Sequence, residues 1–390
     1  MEARARRAAA AVGAAAVLVA AVGAFYLKPW QALVLAKPAP PPAHTSVPVQ
    51  QAQFLSATTG WVVTGGASSA SLFRTTDGGR HWQRQLDGVA GESWTLSFFD
   101  ARRGVVLAAD RRGPELLQTT DGGQHWKTLR QATCRTLPSL VFFLDMDHGW
   151  CVVPLGSAAL GQSPFPDRQE IGLYRTADGG ATWTHVLATG LSDDGQKSWI
   201  WFADASTGWI GEHGPGAHAV VYATSDAGDH WSRQELQPPA GGWGSTVGIL
   251  ADTPPAPGSG SSPMVAVATM EPGARQGVFI LDGRYIYTWQ APAWTGPVLV
   301  PNGPVALADP AHWFVVMGTT VLTSSDGGEN WTTVGTPASG WVIYRITMVD
   351  REHGWATLYR LAPSGSPISA TGLARTTDGG SHWTVVPLPS

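Results

Sequence analysis

The sequence has few charged residues and lacks a large basic cluster after residue 50. Asp, Glu, Lys and Arg make up 14% of the 390 residues, and the formal net charge is −4. A surface that binds nucleic acid needs a concentrated positive charge to meet the phosphate backbone. The composition therefore argues against binding of duplex or single-stranded nucleic acid.

The chain is also poor in cysteine, with only Cys134 and Cys151. Their spacing excludes a zinc site and a thioredoxin-type site. Two cysteines pair readily outside the cytoplasm, but Cys134 lies in a loop before a predicted strand and Cys151 in the strand after it. A bridge requires that loop to fold back, so a disulfide and two unpaired thiols both stay open.

Helical periodicity is absent beyond the N-terminus, and a repeat takes its place. TTDGGRHW at 75–82 returns as TTDGGQHW at 119–126, and four further segments fit S/T-x-D-x-G-x-x-W. The defining residues of the six boxes are Thr75, Asp77, Gly79, Trp82, Thr119, Asp121, Gly123, Trp126, Thr176, Asp178, Gly180, Trp183, Thr224, Asp226, Gly228, Trp231, Ser324, Asp326, Gly328, Trp331, Thr376, Asp378, Gly380 and Trp383.

The spacing of the boxes predicts seven units of about 48 residues between residue 50 and residue 390. One gap between boxes has double length, and a degenerate seventh box is expected there, at Asp282, Gly283 and Trp289. A second signature, as in FADASTGW at 202–209, precedes most boxes by about 20 residues. It predicts a tight turn, so each unit reads as four antiparallel strands, A to D.

Four-stranded units of this length, repeated seven times, predict an all-β fold, a seven-bladed β-propeller. The box itself has a structural explanation. Its Asp accepts hydrogen bonds from nearby N–H groups and from the Ser/Thr hydroxyl, its Gly adopts an unusual backbone conformation, and its Trp packs beneath the turn. The further carboxylates of a calcium loop are missing, so we expect neither a metal nor another cofactor.

The first residues differ from the rest of the chain. Arg4, Arg6 and Arg7 precede an uncharged run from Ala8 to Leu27, long enough to span a bilayer. We therefore expect an N-terminal transmembrane or signal helix at 1–28, a Pro-rich linker at 29–49 and the propeller at 50–390. The basic start orients the propeller to the extracytoplasmic side of the cell membrane. A cleaved signal peptide, which would give a secreted protein, is the alternative.

The combined pattern of FADASTGW and YRTADGGATW resembles the Asp-box (BNR-repeat) propellers, most of all the photosystem II stability/assembly factor-like branch. The Arg-Thr pairs that begin at Arg74, Arg175 and Arg375 carry the branch resemblance. It implies a non-enzymatic extracytoplasmic scaffold whose partner is a membrane protein or protein complex. The branch is typically lipid-anchored through a cysteine, and no cysteine precedes Cys134 here.

Sialidases, xyloglucan-cleaving hydrolases and sortilin-type receptors also use Asp boxes, so a glycan-binding or glycoside hydrolase propeller is the alternative function. The Arg-Ile-Pro string typical of sialidases does not occur in the sequence. Asp145 with Asp147, or Asp193 with Asp194, are candidate glycosidase acids. A structural interpretation competes, because the first pair flanks a predicted turn and the second lies in a polar loop. We therefore expect no catalytic residues.

Function is expected on the face opposite the boxes, where the irregular loops converge. An aromatic residue recurs near the predicted start of strand A. The predicted partner-binding residues are Trp94, Trp199, Trp243, Trp294, Trp341, Tyr344 and Arg345. These residues predict a partly exposed aromatic mouth that binds a protein or a glycan. The alternative is that the rings pack between blades.

Overall fold

The structure is a computed structural model. It describes residues 48–91, 93–110, 113–129, 140–155, 170–213, 219–240, 242, 248–252, 264–272, 279–318, 320–336, 340–360 and 370–389. The predicted helix at 1–28 and nearly all of the predicted linker lie outside these ranges. Among the residues inside them, no helix has the length and apolarity needed to cross a membrane.

The described strands form seven four-stranded antiparallel sheets, numbered here along the chain. Sheet 1 contains β1 (Val49–Phe54), β2 (Gly60–Gly66), β3 (Ser69–Thr75) and β4 (Gln83–Val89). Sheet 2 contains β5 (Ser93–Phe98), β6 (Gly104–Asp110), β7 (Gly113–Thr119) and β8 (Lys127–Leu129). Sheet 3 contains β9 (Leu140–Phe143), β10 (Gly149–Pro154), β11 (Ile171–Thr176) and β12 (Thr184–Val186).

Sheet 4 contains β13 (Gln196–Phe202), β14 (Gly208–His213), β15 (Val220–Thr224) and β16 (Ser232–Glu235). Sheet 5 contains β17 (Gly248–Asp252), β18 (Met264–Pro272), β19 (Phe279–Gln290) and β20 (Ala293–Val300). Sheet 6 contains β21 (Val305–Leu307), β22 (Trp313–Met317), β23 (Thr320–Ser324) and β24 (Thr332–Gly335). Sheet 7 contains β25 (Val342–Met348), β26 (Gly354–Arg360), β27 (Ala370–Thr376) and β28 (Thr384–Val386).

The sheets are arranged as a β-propeller, which confirms the predicted all-β propeller fold. The first strands of neighbouring sheets contact each other; for example, β1 contacts β5 and β21 contacts β25. In a ring of sheets such contacts occur at the centre, so strand A of each sheet lies nearest the axis. Because the strands are antiparallel, the A–B and C–D turns share one face, called here the box face. The B–C and D–A connections share the opposite face, called here the loop face.

The hydrophobic core lies between neighbouring sheets rather than in one central mass. Trp61 of β2 stacks on Phe98 of β5 at 3.6 Å, and Trp150 of β10 stacks on Phe202 of β13 at the same distance. Each of these Trp residues follows a turn glycine, and each Phe ends the A strand of the next sheet. The Trp of the Gly-Trp signature therefore packs against the next sheet along the chain.

The ring closes by the same side-chain contacts, without an exchanged strand. Phe54 of sheet 1 stacks on Trp355 of sheet 7 at 3.7 Å. The Arg375 guanidinium donates to the Gly78 carbonyl at 2.9 Å. Each of the described sheets consists of four consecutive strands, so packing and hydrogen bonds between the first and last sheets join the ends of the ring.

Each intact box is a hydrogen-bonded turn. The Thr75 hydroxyl donates to the Asp77 carboxylate at 3.0 Å and accepts from the Gly79 N–H at 2.8 Å. Asp77 also accepts from the N–H groups of residues 80 and 81. Gly79 has a φ of 81°, a conformation that favours glycine. The box residues therefore stabilise the turn between strands C and D.

The prediction of a seventh, degenerate box at Asp282, Gly283 and Trp289 is wrong. Asp282 and Gly283 lie within β19, where Gly283 pairs with Thr269. The C–D connection of sheet 5 is instead a tight hairpin between Gln290 and Ala293. Trp289 lies at the end of β19, where it pairs with Trp294 across the hairpin. Sheet 5 keeps four strands without an Asp box because this short hairpin replaces the longer turn.

Cys151 lies in β10, is fully buried and is disulfide-bonded. Cys134, the second cysteine of the chain, lies outside the described residues. The bridge between Cys134 and Cys151 stays a prediction for peptide mapping under non-reducing conditions.

Candidate functional site

Two of the predicted mouth residues are buried between sheets. Trp94 of β5 is 7% exposed and packs with Trp61 and Leu96. Trp199 of β13 is 4% exposed and packs with Trp201 and other rings of sheets 4 and 5. Neither ring forms part of an exposed mouth, because both point sideways from strand A into the space between sheets.

One further predicted residue, Trp294, lies away from the predicted mouth. Trp294 lies in β20, the D strand of sheet 5, and not before an A strand. Its indole N–H donates to the Gln234 carboxamide of β16 at 2.8 Å, so the ring bridges the outer strands of sheets 4 and 5. Trp243 lies outside the described residues. The regular spacing of these rings in the sequence therefore did not indicate one common surface.

Trp341, Tyr344 and Arg345 all lie near the loop-face end of sheet 7, within five consecutive residues at the start of β25. Trp341 immediately precedes β25 and is partly buried against Gly372 of β27, where an added Cβ would lie 3.1 Å from the ring. The Arg360 guanidinium lies 4.3 Å from the ring centroid and donates to the Gly340 carbonyl at 3.1 Å. This cation–π contact holds the indole at the end of the sheet.

A β-bulge exposes two consecutive side chains of β25. Ile343 pairs with Leu358 and Arg345 pairs with Thr357, so Tyr344 is the extra residue of the bulge. Consecutive side chains of a regular strand point to opposite faces, yet Tyr344 is 47% exposed and Arg345 is exposed as well. The bulge therefore turns both side chains to solvent, as bulges near binding sites often do.

We call Trp341, Tyr344, Arg345 and Arg360 the loop-face patch. Tyr344 packs edge-on against Tyr359 with ring centroids 6.5 Å apart, and burial, with a smaller effect of Tyr344, raises the pKa of Tyr359. Met317, at the loop-face end of β22 in the adjacent sheet, is 46% exposed. Within the part of the chain that the structure describes, Arg345 has no ion-pair partner. The patch is thus aromatic, apolar and positively charged.

Asp145, one of the two candidate acids of the box face, has a structural role. Asp145 accepts hydrogen bonds from the N–H groups of Asp147 and His148, at 2.8 and 2.7 Å, and from the His148 ring. Burial acts to raise the pKa of Asp145, but these hydrogen bonds outweigh it and the pKa lies below its ordinary value. A carboxyl group held ionised in this way is a poor general acid.

The second candidate pair lies beside a buried ion pair that the sequence did not predict. Lys197 donates from Nζ to Glu212 Oε2 and to the Asp194 carbonyl, both at 2.7 Å, and its side chain is 0% exposed. The Tyr222 hydroxyl donates to the same Glu212 oxygen at 3.0 Å. Burial lowers the pKa of Lys197 against the opposing effect of Glu212. Asp194 thus contributes its backbone carbonyl to this cluster.

Burial and the neighbouring Glu212 raise the pKa of Tyr222 to about 12. The sequence around Lys197 gives no sign of this burial, because the residue lies at the start of a strand and has polar neighbours. Only the pairing of β13 with β14 places it opposite Glu212. No group of three or more His, Cys, Asp or Glu side chains suited to a metal occurs among the residues described.

No protein-family model and no curated protein sequence matches the chain. Several solved structures share its fold. The structure described as YCF48 bound to D1 peptide has a TM-score of 0.52 and 18% sequence identity, over 85% of this chain and 93% of that one. At this identity the likeness shows the β-propeller fold alone.

Two similar structures are enzymes that act on polysaccharides or belong to a glycoside hydrolase family. The GH74 enzyme of Niastella koreensis has a TM-score of 0.54 and 16% identity, over 87% of this chain and 54% of that chain. A PL25 ulvan lyase bound to an oligosaccharide has a TM-score of 0.51 and 12% identity, over 83% and 91% of the two chains. The match thus spans about half the GH74 chain.

Proposed function

We propose that this protein is a non-enzymatic scaffold, anchored in the cell membrane, that binds a protein partner on the extracytoplasmic side. The partner is a membrane protein or a membrane protein complex, and it binds at the loop-face patch. The observation that carries the proposal is the bulge of β25, which exposes Tyr344 and Arg345 together near the loop-face end of sheet 7.

The residue types of the patch support a protein partner. Trp, Tyr and Arg are enriched at protein interfaces, and the residues that dominate binding energy are most often of these three types. Trp341 is already held by Arg360 and by Gly372, so little side-chain freedom is lost when a partner covers it. The fold is also that of YCF48, a protein solved in complex with a peptide.

The described carboxylates support a non-enzymatic role. The intact boxes hold Asp77, Asp121, Asp178, Asp226, Asp326 and Asp378 in turns by hydrogen bonds from their own hydroxyls. Asp145 is fixed in the same manner by His148. These carboxylates stabilise turns, which accounts for their presence without catalysis.

Glycan binding is the second candidate function. The exposed ring of Tyr344 and the partly exposed ring of Trp341 offer flat apolar surfaces of a kind that also stacks on sugar rings. The GH74 and PL25 structures show that the fold is used by proteins acting on polysaccharides. The same variants therefore need to be examined with both classes of ligand.

The test is affinity purification of the tagged full-length protein from cross-linked, detergent-solubilised native membranes. The double variant Tyr344→Ala/Arg345→Ala is compared with Thr347→Ala, an exposed position of the same strand. We expect specific membrane proteins that the wild type and Thr347→Ala recover and the double variant loses. Equal recovery by all three would contradict the proposal, and binding of β-glucans that only the double variant loses would favour the glycan alternative.

A further inference from the structure

The described chain begins on the loop face, close to the axis. The Gly65 N–H donates to the Pro48 carbonyl at 2.9 Å, and the Val49 N–H donates to the Thr371 hydroxyl at 2.7 Å. Strand A is the innermost strand, so the segment before residue 48 joins the ring near the centre of this face.

The start of β1, at Val49, lies level with the loop-face patch. Thr371 pairs with Tyr359, and Tyr359 pairs with Val342, so these residues mark one level across sheet 7. Two strand spacings of about 4.8 Å separate Thr371 from Val342. Trp341 adjoins Val342, so about 10 Å separates the patch from Thr371, whose hydroxyl accepts the hydrogen bond of the Val49 N–H.

We infer that the loop face is turned toward the membrane, and that the partner segment bound by the patch lies close to the bilayer surface. In chemical terms, this partner is the extracytoplasmic loop or tail of an integral membrane protein, next to its membrane-spanning part. The inference rests on the proposed function and on the membrane anchor predicted for residues 1–28.

The predicted linker favours this orientation because the box face lies farther from the point where the linker joins the propeller. Residues 29–47 include KPAPPPA at 37–43. Pro-rich segments extend by about 3.1 Å per residue, so 19 residues in that conformation would reach at most roughly 60 Å. To bring the box face to the membrane, the linker would have to cross three strand spacings and then pass along a strand of seven residues, about 40 Å in total.

On such a path, most of the linker residues would have to run along the side of the propeller. Ordering a chain on a surface costs conformational entropy, which contacts would have to offset. The loop-face orientation needs no such path, because residue 48, where the predicted linker joins the propeller, already lies on the face turned toward the membrane. It is therefore the orientation with the lower entropic cost.

The chemistry of the two faces also favours a loop face turned toward the membrane. The loop-face patch presents Trp341 and Tyr344, residue types enriched at membrane–water interfaces. The box face presents Asp–His pairs such as Asp77 with His81 and Asp121 with His125, whose rings are 89% exposed. Hydrogen bonds from the backbone N–H and the ring of His81 hold the pKa of Asp77 well below its usual range. The Asp77 carboxylate therefore stays ionised, and an anionic membrane surface would repel it.

The test measures energy transfer from a single dye to rhodamine-labelled lipid in phosphatidylcholine vesicles that carry the full-length protein. The dye is placed on the loop face at Met317→Cys or on the box face at Gln124→Cys, both exposed positions. Cys151 is buried and disulfide-bonded, so it does not react under non-reducing conditions. The unsubstituted protein, treated with the same dye, measures any labelling of Cys134. We expect at least twofold greater transfer efficiency from position 317 than from position 124.

Equal efficiencies, a reversed order or loss of the protein from the vesicles would overturn the inference. The outcome is separable from that of the proposed function. Transfer that favours position 317 with no partner lost by Tyr344→Ala/Arg345→Ala would support the orientation and contradict the proposed function. Partner loss in that variant without the transfer difference would support the function and contradict the orientation.

Discussion

The side chain of Arg375 in sheet 7 donates a hydrogen bond to the carbonyl of Gly78 in sheet 1, at 2.9 Å. Arg74 makes the equivalent contact with Gly122 of the next sheet at 3.1 Å, and Gln118 does so with Gly179 at 2.7 Å. The residue before the box Thr therefore connects each of these sheets to the following box turn. The Arg-Thr signature thus has an architectural role, which at Arg375 includes closing the ring.

Replacement of Arg375 should weaken this closure. We expect Arg375→Ala to lower the free energy of unfolding by about 1–2 kcal/mol, since a hydrogen bond from a charged group contributes on this order. Urea denaturation followed by Trp fluorescence measures the change. The matched control is Arg345→Ala, an exposed arginine that should change stability by less than about 0.5 kcal/mol. Equal effects of the two variants would contradict a role in closure.

Acid should destabilise the protein through its box turns. The backbone and side chain of Asn330 lower the pKa of Asp326 to about 2, and those of His230 do the same for Asp226. A carboxyl group with a lowered folded-state pKa stabilises the fold above its unfolded pKa, near 4, and loses that contribution as the pH falls toward 2.

The melting temperature should therefore fall between about pH 4 and pH 2. Thermal denaturation across this range measures the effect. Asp326→Asn should reduce the slope of melting temperature against pH, whereas Asp87→Asn, outside the boxes, should reduce it less. A melting temperature independent of pH in this window would exclude the ionised boxes as a source of stability.

The burial of Trp199 depends on a glycine in the neighbouring strand. A Cβ added at Gly211 would lie 2.0 Å from the Trp199 indole nitrogen, whereas one added at Gly66 meets nothing within 4 Å. We expect Gly211→Ala to destabilise the protein by about 1–3 kcal/mol through overpacking, and Gly66→Ala to have little effect. Chemical denaturation of the two variants compares them. A tolerated Gly211→Ala would indicate that Trp199 is free to move toward solvent.

The buried ion pair of sheet 4 should be sensitive to the loss of one partner. Lys197→Met leaves Glu212 without its cation, and the removal of one member of a buried pair costs about 3–5 kcal/mol. Lys127→Met, at an exposed position of β8, is the control and should be nearly neutral. Urea denaturation checks both. A stable Lys197→Met protein would mean that water reaches Glu212 and replaces the lysine.

The fold could be predicted from the sequence because each repeated motif has a local physical cause. The box at Thr75 to Trp82 forms its turn through hydrogen bonds among its own residues. The Gly-Trp turns could be predicted for the same reason. The C–D turn of sheet 5 could not be predicted, because residues 291–292 do not resemble an Asp box. Asp282 suggested a box in this unit, although the Ser/Thr and the spacing of the motif are absent and the residue lies within β19.

The candidate site could be predicted only in part. The recurring aromatic residues predict exposure of Trp341, Tyr344 and Arg345, but the same pattern contains Trp94 and Trp199, which are buried. A β-strand alternates its side chains between two faces, so exposure depends on the register of each residue. The bulge at Tyr344 changes that register by one residue, and no local sequence signal marks it.

The closure of the ring by side chains also determines when the ring is completed during synthesis. Phe54 emerges with the first sheet, but its stacking partner Trp355 belongs to the last. Until the C-terminal sheet has formed, the Phe54 side of sheet 1 lacks its neighbour and exposes apolar surface. A chain interrupted before residue 355 therefore carries an open seam, available to chaperones and to other incomplete chains.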